Sequence, residues 1–325
     1  MTNAALTVEV TRGNRVESKH RVDAVVSDAK GVVVASWGDA DRPTQPRSAS
    51  KPLQAIPLIT SGAADDAGLT EVELALACAS HNGEEGHVAA VEAWLGAVGA
   101  SVADLECGSH APSYRPAADA MVSNGISPTA AHNNCSGKHS GFIHTLLHLG
   151  DEIAGYLSPS HPQQVRVTRS LTRFAGIDVA TQAPGIDGCG IPVWTMPLQA
   201  LAKGWAQLQD PQSVDADEAA AANRLLDAMV HQPWFVAGTE GRSTTIMHAR
   251  GGRVVAKGGA EGVFCAVDRE TGRGFALKTA DGASRASEVA IEWLVARMLR
   301  LDEPAPEVLR NHAGTAVGEI RVRAS

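Results

Sequence analysis

A serine and a lysine three residues apart can act as a nucleophile and its base, because residues i and i+3 share one face of a helix. The stretch RPTQPRSASKPLQ, residues 42–54, holds such a pair in Ser48 and Lys51. Seven of the chain's 28 basic residues are lysines and the other 21 are arginines. Arginine does not shed its proton in a protein, so an amine base must come from the few lysines. Lys51, Lys138 and Lys257 stand out because each sits in a Gly/Ser-rich segment. Spacing alone does not select Ser48, since Ser27 and Lys30 share it in SDAKG, a hairpin-turn sequence. A helix starting near Ser48 places Pro52 in its first turn, where proline is tolerated, while Pro57 demands a kink or a short helix.

Ser-x-x-Lys chemistry needs a further serine and lysine from elsewhere in the fold, in the manner of penicillin-recognising enzymes. Ser80 in CASHNGEEG and Lys257 in RVVAKGG are the candidates, with Lys278 in ALKTADG ranked second for the lysine. Gly258 and Gly259 would let a substrate backbone approach the edge of that strand.

Two glycine-rich turns carry the remaining chemistry. In AHNNCSGKHSGF, residues 131–142, Gly137-Lys138 fits part of a phosphate loop, but histidines at 132 and 139 replace the required Gly and Ser/Thr. The phosphate reading therefore fails. Cys135 there could be the nucleophile of a cysteine–histidine hydrolase, a metal ligand or part of a polar helix cap. APGIDGCGIP, residues 183–192, adds Asp187 and Cys189. Two thiolates from separate loops suit zinc, with Asp187 as ligand or behind them, although tight turns explain the glycines equally well.

The elements that must position these groups follow from hydrophobic periodicity. LTVEVTR, HRVDAVVSDAKGVVVASWG and the run from STTIMHARGGRVVAKGG to GFALKT read as β-branched strands, with DAKG and ARGG as hairpin turns. Between them lie helical patterns, among them TEVELALACAS with a Thr70–Glu73 capping box, EEGHVAAVEAWLGAVGA, KHSGFIHTLLHLG and PQQVRVTRSLTRFAG. SRASEVAIEWLVARMLRLDEP is a late amphipathic helix. This order predicts an α/β protein of the α+β type. A mainly antiparallel sheet would draw on about residues 1–40 and 243–325, around a helical region of about 50–242. With no repeat and no low-complexity linker, residues 1–325 read as a single catalytic unit.

At 325 residues and a net charge of −8, with no basic stripe, the chain is not expected to bind nucleic acid. Its apolar runs are too short to span a membrane, and MTNAALTVEV lacks the pattern of a secretory signal, so a cytoplasmic protein is expected. Five cysteines, at 78, 107, 135, 189 and 265, speak against a disulfide framework there.

Taken together, VTRGNRVESKHR (with Glu17, Ser18 and His20), RSASKPLQ, CASHNGEEG, HNNCSGKHSGF, GIDGCGIP and KGGAEG resemble the rhizobial-type L-asparaginases, the asparaginase II domain family, in the family's order. The resemblance implies hydrolysis of L-asparagine, a fold similar to serine β-lactamases and glutaminases, and a homodimer. It also implies the pairs Ser48–Lys51 and Ser80–Lys257 as catalytic groups, and a zinc site of Cys135, Lys138 and Cys189 backed by Asp187. Arg47 suits a substrate carboxylate through bidentate hydrogen bonding, with His139 and Asn133 as further substrate contacts. Two rival readings use the same residues: a penicillin-recognising serine hydrolase, and a zinc-dependent amidohydrolase whose metal-bound water attacks.

Overall fold

A computed structural model describes residues 2–324. The chain divides into two compact units, one of Met1–Ala49, Met196–Gln212 and Ala256–Ser325, the other of Ser50–Thr195 and Ser213–Val255.

The first unit is built on a nine-stranded sheet drawn from both chain ends, as the strand patterns predict. Its strands are β1 (Thr2–Asn3), β2 (Leu6–Arg12), β3 (Arg15–Ser27), β4 (Val33–Trp37), β5 (Val254–Gly259), β6 (Val263–Asp268), β7 (Gly274–Thr279), β8 (Glu307–Arg310) and β9 (Ala316–Arg323). The order is β8-β9-β2-β3-β7-β6-β5, with β4 also on β3. The 13-residue β3 holds the sheet together: its first half pairs with β2, and its second half pairs with β4 and β7, all antiparallel. In β2, Leu6, Val8 and Val10 are buried while the residues between them are half-buried, the two-residue period of a one-sided strand. Every residue of β6 is buried, so VFCAVD is covered on both faces and reads as a continuous apolar run. The helices Leu198–Gln209 and Ser284–Leu299 pack on β6 and β7.

Two contacts in this unit seat the turn that carries Ser48. Trp205, fully buried on the helix Leu198–Gln209, donates its indole N–H to Ala49 O at 3.1 Å. At Gly259, the last residue of β5, a side chain would meet Pro46 O at 2.8 Å and Ala49 N at 3.0 Å. The absent Cβ therefore admits the protein's own 46–49 turn. This corrects the expectation that these glycines leave room for a substrate backbone.

The second unit is helical. It contains α1 (Lys51–Thr60), α2 (Glu71–Ala77), α3 (Glu85–Ala97), α4 (Ser136–Leu149), α5 (Pro162–Ala175) and α6 (Ala216–His231), with shorter helices between. Thr70 caps α2 in the predicted box with Glu73. Helix α1 is the centre of this core, with every residue from Lys51 to Ile59 buried. Each of its leucines and isoleucines contributes roughly 1.5–3 kcal/mol by leaving water. Pro57 lies inside α1 without ending it. The ring leaves Leu53 O without its usual donor, and the Ser170 hydroxyl from α5 fills the gap at 2.6 Å. One expectation fails here. Residues 242–249 form a helix, Arg242–Ala249, rather than a strand, and ARGG closes that helix rather than a hairpin. Burial of Ser243, Thr244, Ile246 and Met247 on one helical face outweighs the β preference of STTI.

Candidate active site

Lys51 opens α1, and its amine is 1 % exposed. Its Nζ lies 3.0 Å from Ser80 Oγ and 3.4 Å from Asn134 O, and it also reaches Ala79 O. Two carbonyls and one hydroxyl therefore converge on a single nitrogen. Ser80 sits in the loop after α2, held by its backbone bond to Val236 O at 2.9 Å, and remains half-exposed. The lysine whose spacing suggested a base for Ser48 thus makes a direct contact with the serine 29 positions further on.

The second cluster stands on the N-terminus of α4. A side chain at Gly137 would overlap the Leu76 carbonyl, so this glycine lets α4 approach α2 closely. Packing, not phosphate binding, explains the Gly-Lys pair. Lys138 Nζ donates to Cys189 Sγ at 3.0 Å, and the Cys189 thiol in turn hydrogen-bonds Cys135. That bond holds Cys135 well below the usual thiol range against the opposing effect of burial, with help from the charges of Lys51 and Lys138. Cys189 is pushed up by the same bond and by burial. Lys138 is raised: burial works against its charge, but Cys189, Cys135 and Asp187 outweigh it. Among the described residues no three His, Cys, Asp or Glu side chains form a metal cluster. Two sulfurs and an amine in mutual contact still fit a thiophilic ion such as zinc, provided that Lys138 and Cys189 give up their protons.

Around these clusters the polar side chains are committed to definite partners. Asn133 donates to Cys107 O at 2.9 Å and Gly108 O at 3.1 Å, and accepts from Cys135 N at 2.8 Å. The structure uses it to shape the loop bearing Cys135. His139 is fully buried, its Nδ1 2.7 Å from Tyr156 Oη, and burial followed by the charges of Lys138 and Lys51 keeps the ring neutral. With Nδ1 committed to Tyr156, this histidine is not a base for Cys135.

Sequence reasoning missed Tyr156 and His81. His81 directly follows Ser80, and that adjacency was the available signal. Its Nδ1 accepts from Gly83 N at 3.2 Å, so its Nε2–H donates to Ser136 Oγ at 2.8 Å. Ser136 passes the chain on to Ala131 O at 2.9 Å. Burial, then His87 and Lys51, hold His81 neutral. A neutral imidazole of fixed tautomer thus ties the Ser80 loop to the start of α4.

In the first unit, Ser48 lies half-buried on the 3-10 turn Arg47–Ser50, whose Ala49 lies against Gly259 at the end of β5. Arg47 has φ 50°, a left-handed conformation that is strained for a residue with a side chain and concentrates at functional sites. Lys257 is 1 % exposed and donates to Gly258 O at 2.7 Å. Its rival Lys278 is half-exposed, with its amine on Glu261 O and on Thr279 O at 2.8 Å. Of the two, Lys257 is the buried amine. His20, from the VESKHR segment, lies on β3 paired with Asp281 at 2.6 Å.

Comparison with known proteins adds the following. Mglu in its glutamate form is 14% identical at a TM-score of 0.47, over 89% of this chain and 63% of that one. The chain thus spans less than two thirds of the length of Mglu. A β-lactamase from Mycobacterium bovis is 17% identical at 0.39, over 86% and 95% of the two chains. The simvastatin synthase LovD from Aspergillus terreus is 12% identical at 0.40, over 79% and 86%. No curated protein matches significantly. The model of one family, L-asparaginase II, matches residues 8–322. The chain belongs to the L-asparaginase II family.

Proposed function

We propose that this protein is an L-asparaginase, an amidohydrolase that converts L-asparagine to L-aspartate and ammonia through a serine ester. The contact between Lys51 Nζ and Ser80 Oγ carries the reading. A neutral lysine amine has two N–H bonds and one lone pair. Lys51 Nζ donates to Ala79 O, Ser80 Oγ and Asn134 O, so an amine that has lost one of these protons would turn its lone pair to a partner already in place, the Ser80 hydroxyl. The amine is thereby prepared to accept a proton from a hydroxyl and return it.

The family motif and its place three residues before Lys51 support Ser48 as the attacking group. Its Oγ bonds to the side-chain amide carbon as its proton passes to Lys51, giving a tetrahedral oxyanion. The C–N bond then breaks, and the leaving nitrogen takes a proton from Ser80, which Lys51 replenishes. Water cleaves the β-aspartyl ester with Lys51 as base, releasing aspartate and restoring Ser48. Lys257 is the second lysine of the scheme. A zinc ion held by Cys135, Lys138 and Cys189 would, when bound, add a fixed positive charge that orients substrate oxygens. The homodimer belongs to the same proposal and rests on the family resemblance.

An electrophilic asparagine analogue followed by peptide mapping in a mass spectrometer tests the scheme. Label on Ser48 is the expected result. Label on Ser80 would exchange the two serine roles, and label on Cys135 would replace the mechanism. Ammonia release from asparagine no faster than the uncatalysed rate, or faster turnover of a chromogenic β-lactam, would overturn the function itself.

A further inference from the structure

His139 and Tyr156 form a buried pair that the scheme above does not use. Tyr156 is 0 % exposed, and its oxygen accepts the Glu106 backbone N–H at 2.9 Å. The same oxygen lies 2.7 Å from His139 Nδ1. A phenol has one proton to donate. With the Glu106 N–H already donated to the oxygen, that proton goes to His139 Nδ1, the remaining partner. A neutral imidazole with its lone pair on Nδ1 carries its hydrogen on Nε2. In the opposite tautomer the phenol would receive two N–H bonds and bury its own hydrogen unpaired.

His139 Nε2 is buried and meets no hydrogen-bond partner among the described residues. The ring is wedged between Tyr156, with centroids 5.4 Å apart, and Phe142, at 5.8 Å, so it is not free to turn toward another acceptor. A buried donor of fixed direction without an acceptor is costly unless a ligand completes it.

We propose that Tyr156 is a positioning residue that locks His139 as an Nε2–H donor, and that this donor binds a carboxylate oxygen of the substrate. The choice of substrate rests on the asparaginase reading; the tautomer does not. The chemistry selects against an ammonium group at this point, because two donors would face each other. The pocket would thus hold the α-carboxylate of an amino acid here and its α-amine elsewhere.

The test uses the full-length protein labelled with 15N-histidine. In the unaltered protein the His139 resonances should show a bare Nδ1 and a protonated Nε2, and Tyr156→Phe should mix or reverse them. In the same variant KM for L-asparagine should rise about ten- to hundred-fold, as for a lost bond to a charged group, with kcat changed much less. L-asparagine α-amide, which lacks the carboxylate, should be indifferent to the change. His139→Gln, which keeps a side-chain N–H, should bind asparagine more tightly than His139→Leu. A protonated Nδ1 in the unaltered protein overturns the proposal. So does a Tyr156→Phe protein that keeps both tautomer and KM. A fall in kcat at constant KM would move the donor from the carboxylate to the reacting amide and overturn the carboxylate assignment. Absent asparaginase activity with the expected tautomer present would overturn the enzymatic reading alone.

Discussion

The amine of Lys51 touches the hydroxyl of Ser80, at 3.0 Å, across 29 residues of sequence. In the proposed mechanism that contact makes Ser80 the proton partner of Lys51. If Lys51 exchanges protons during turnover, an uncharged side chain of similar length should abolish activity. Lys51→Met is expected to lower kcat by about 10³-fold and Ser80→Ala by about 10²-fold, the range of positioned acid–base groups. Steady-state kinetics, with circular dichroism to verify the fold, measure both.

Lys257 and Lys278 give a direct contrast. The first is buried on β5; the second caps carbonyls at the half-exposed end of β7. Lys257→Met should cost about 10²-fold in kcat, while Lys278→Met should leave it within a few-fold. Equal losses in the two variants would remove Lys257 from the mechanism.

Gly259→Ala should displace the turn that bears Ser48, because the new methyl would sit 2.8 Å from Pro46 O and 3.0 Å from Ala49 N. Displacements of about 1 Å at a reacting group can cost about 10²-fold. We expect kcat to fall roughly ten- to hundred-fold with a lowered Tm. At Gly258 the nearest atom is a side-chain atom of Phe264 at 3.1 Å, so Gly258→Ala should be milder.

Zinc affinity should depend steeply on pH. Lys138 and Cys189 are both raised and Cys135 is lowered, so zinc must displace protons to bind. Affinity should rise as pH rises and fall as pH falls. Competition with a chelator between about pH 6 and 8 measures the slope, and a flat profile would rule out coordination by Lys138.

Ser170→Ala tests the repair at Pro57. Without the hydroxyl, Leu53 O is buried without a donor, which should cost about 1–3 kcal/mol in urea unfolding. Because Ser170 touches neither cluster, kcat of the folded variant should be nearly unchanged.

Much of the architecture was legible because local signals agreed with one another. The Thr70 capping box, the SDAKG hairpin and the alternation in LTVEVTR each specify a local shape and reappear in the structure. STTIMH was misread because its β-branched residues suggest a strand, while burial on one face of Arg242–Ala249, unseen in the sequence, decides for helix. The loops bearing Ser80, Cys135 and Cys189 could be picked out by residue type. Their partners could not: Lys51 meets Ser80, and His139 meets Tyr156, through packing that no spacing rule encodes. Asn133 stood out by its type as a substrate contact; in the fold its amide bonds Cys107 O, Gly108 O and Cys135 N, partners that its type does not name.

The Lys51 amine also acts as a clasp. Its reach to Ala79 O and Asn134 O joins the same two loops that the His81–Ser136 hydrogen bond joins. A dead enzyme made by truncating the lysine would therefore lose its shape near the bound molecule as well as its reactivity. Crystallographers who want substrate caught in place should blunt a hydroxyl and leave the amine intact.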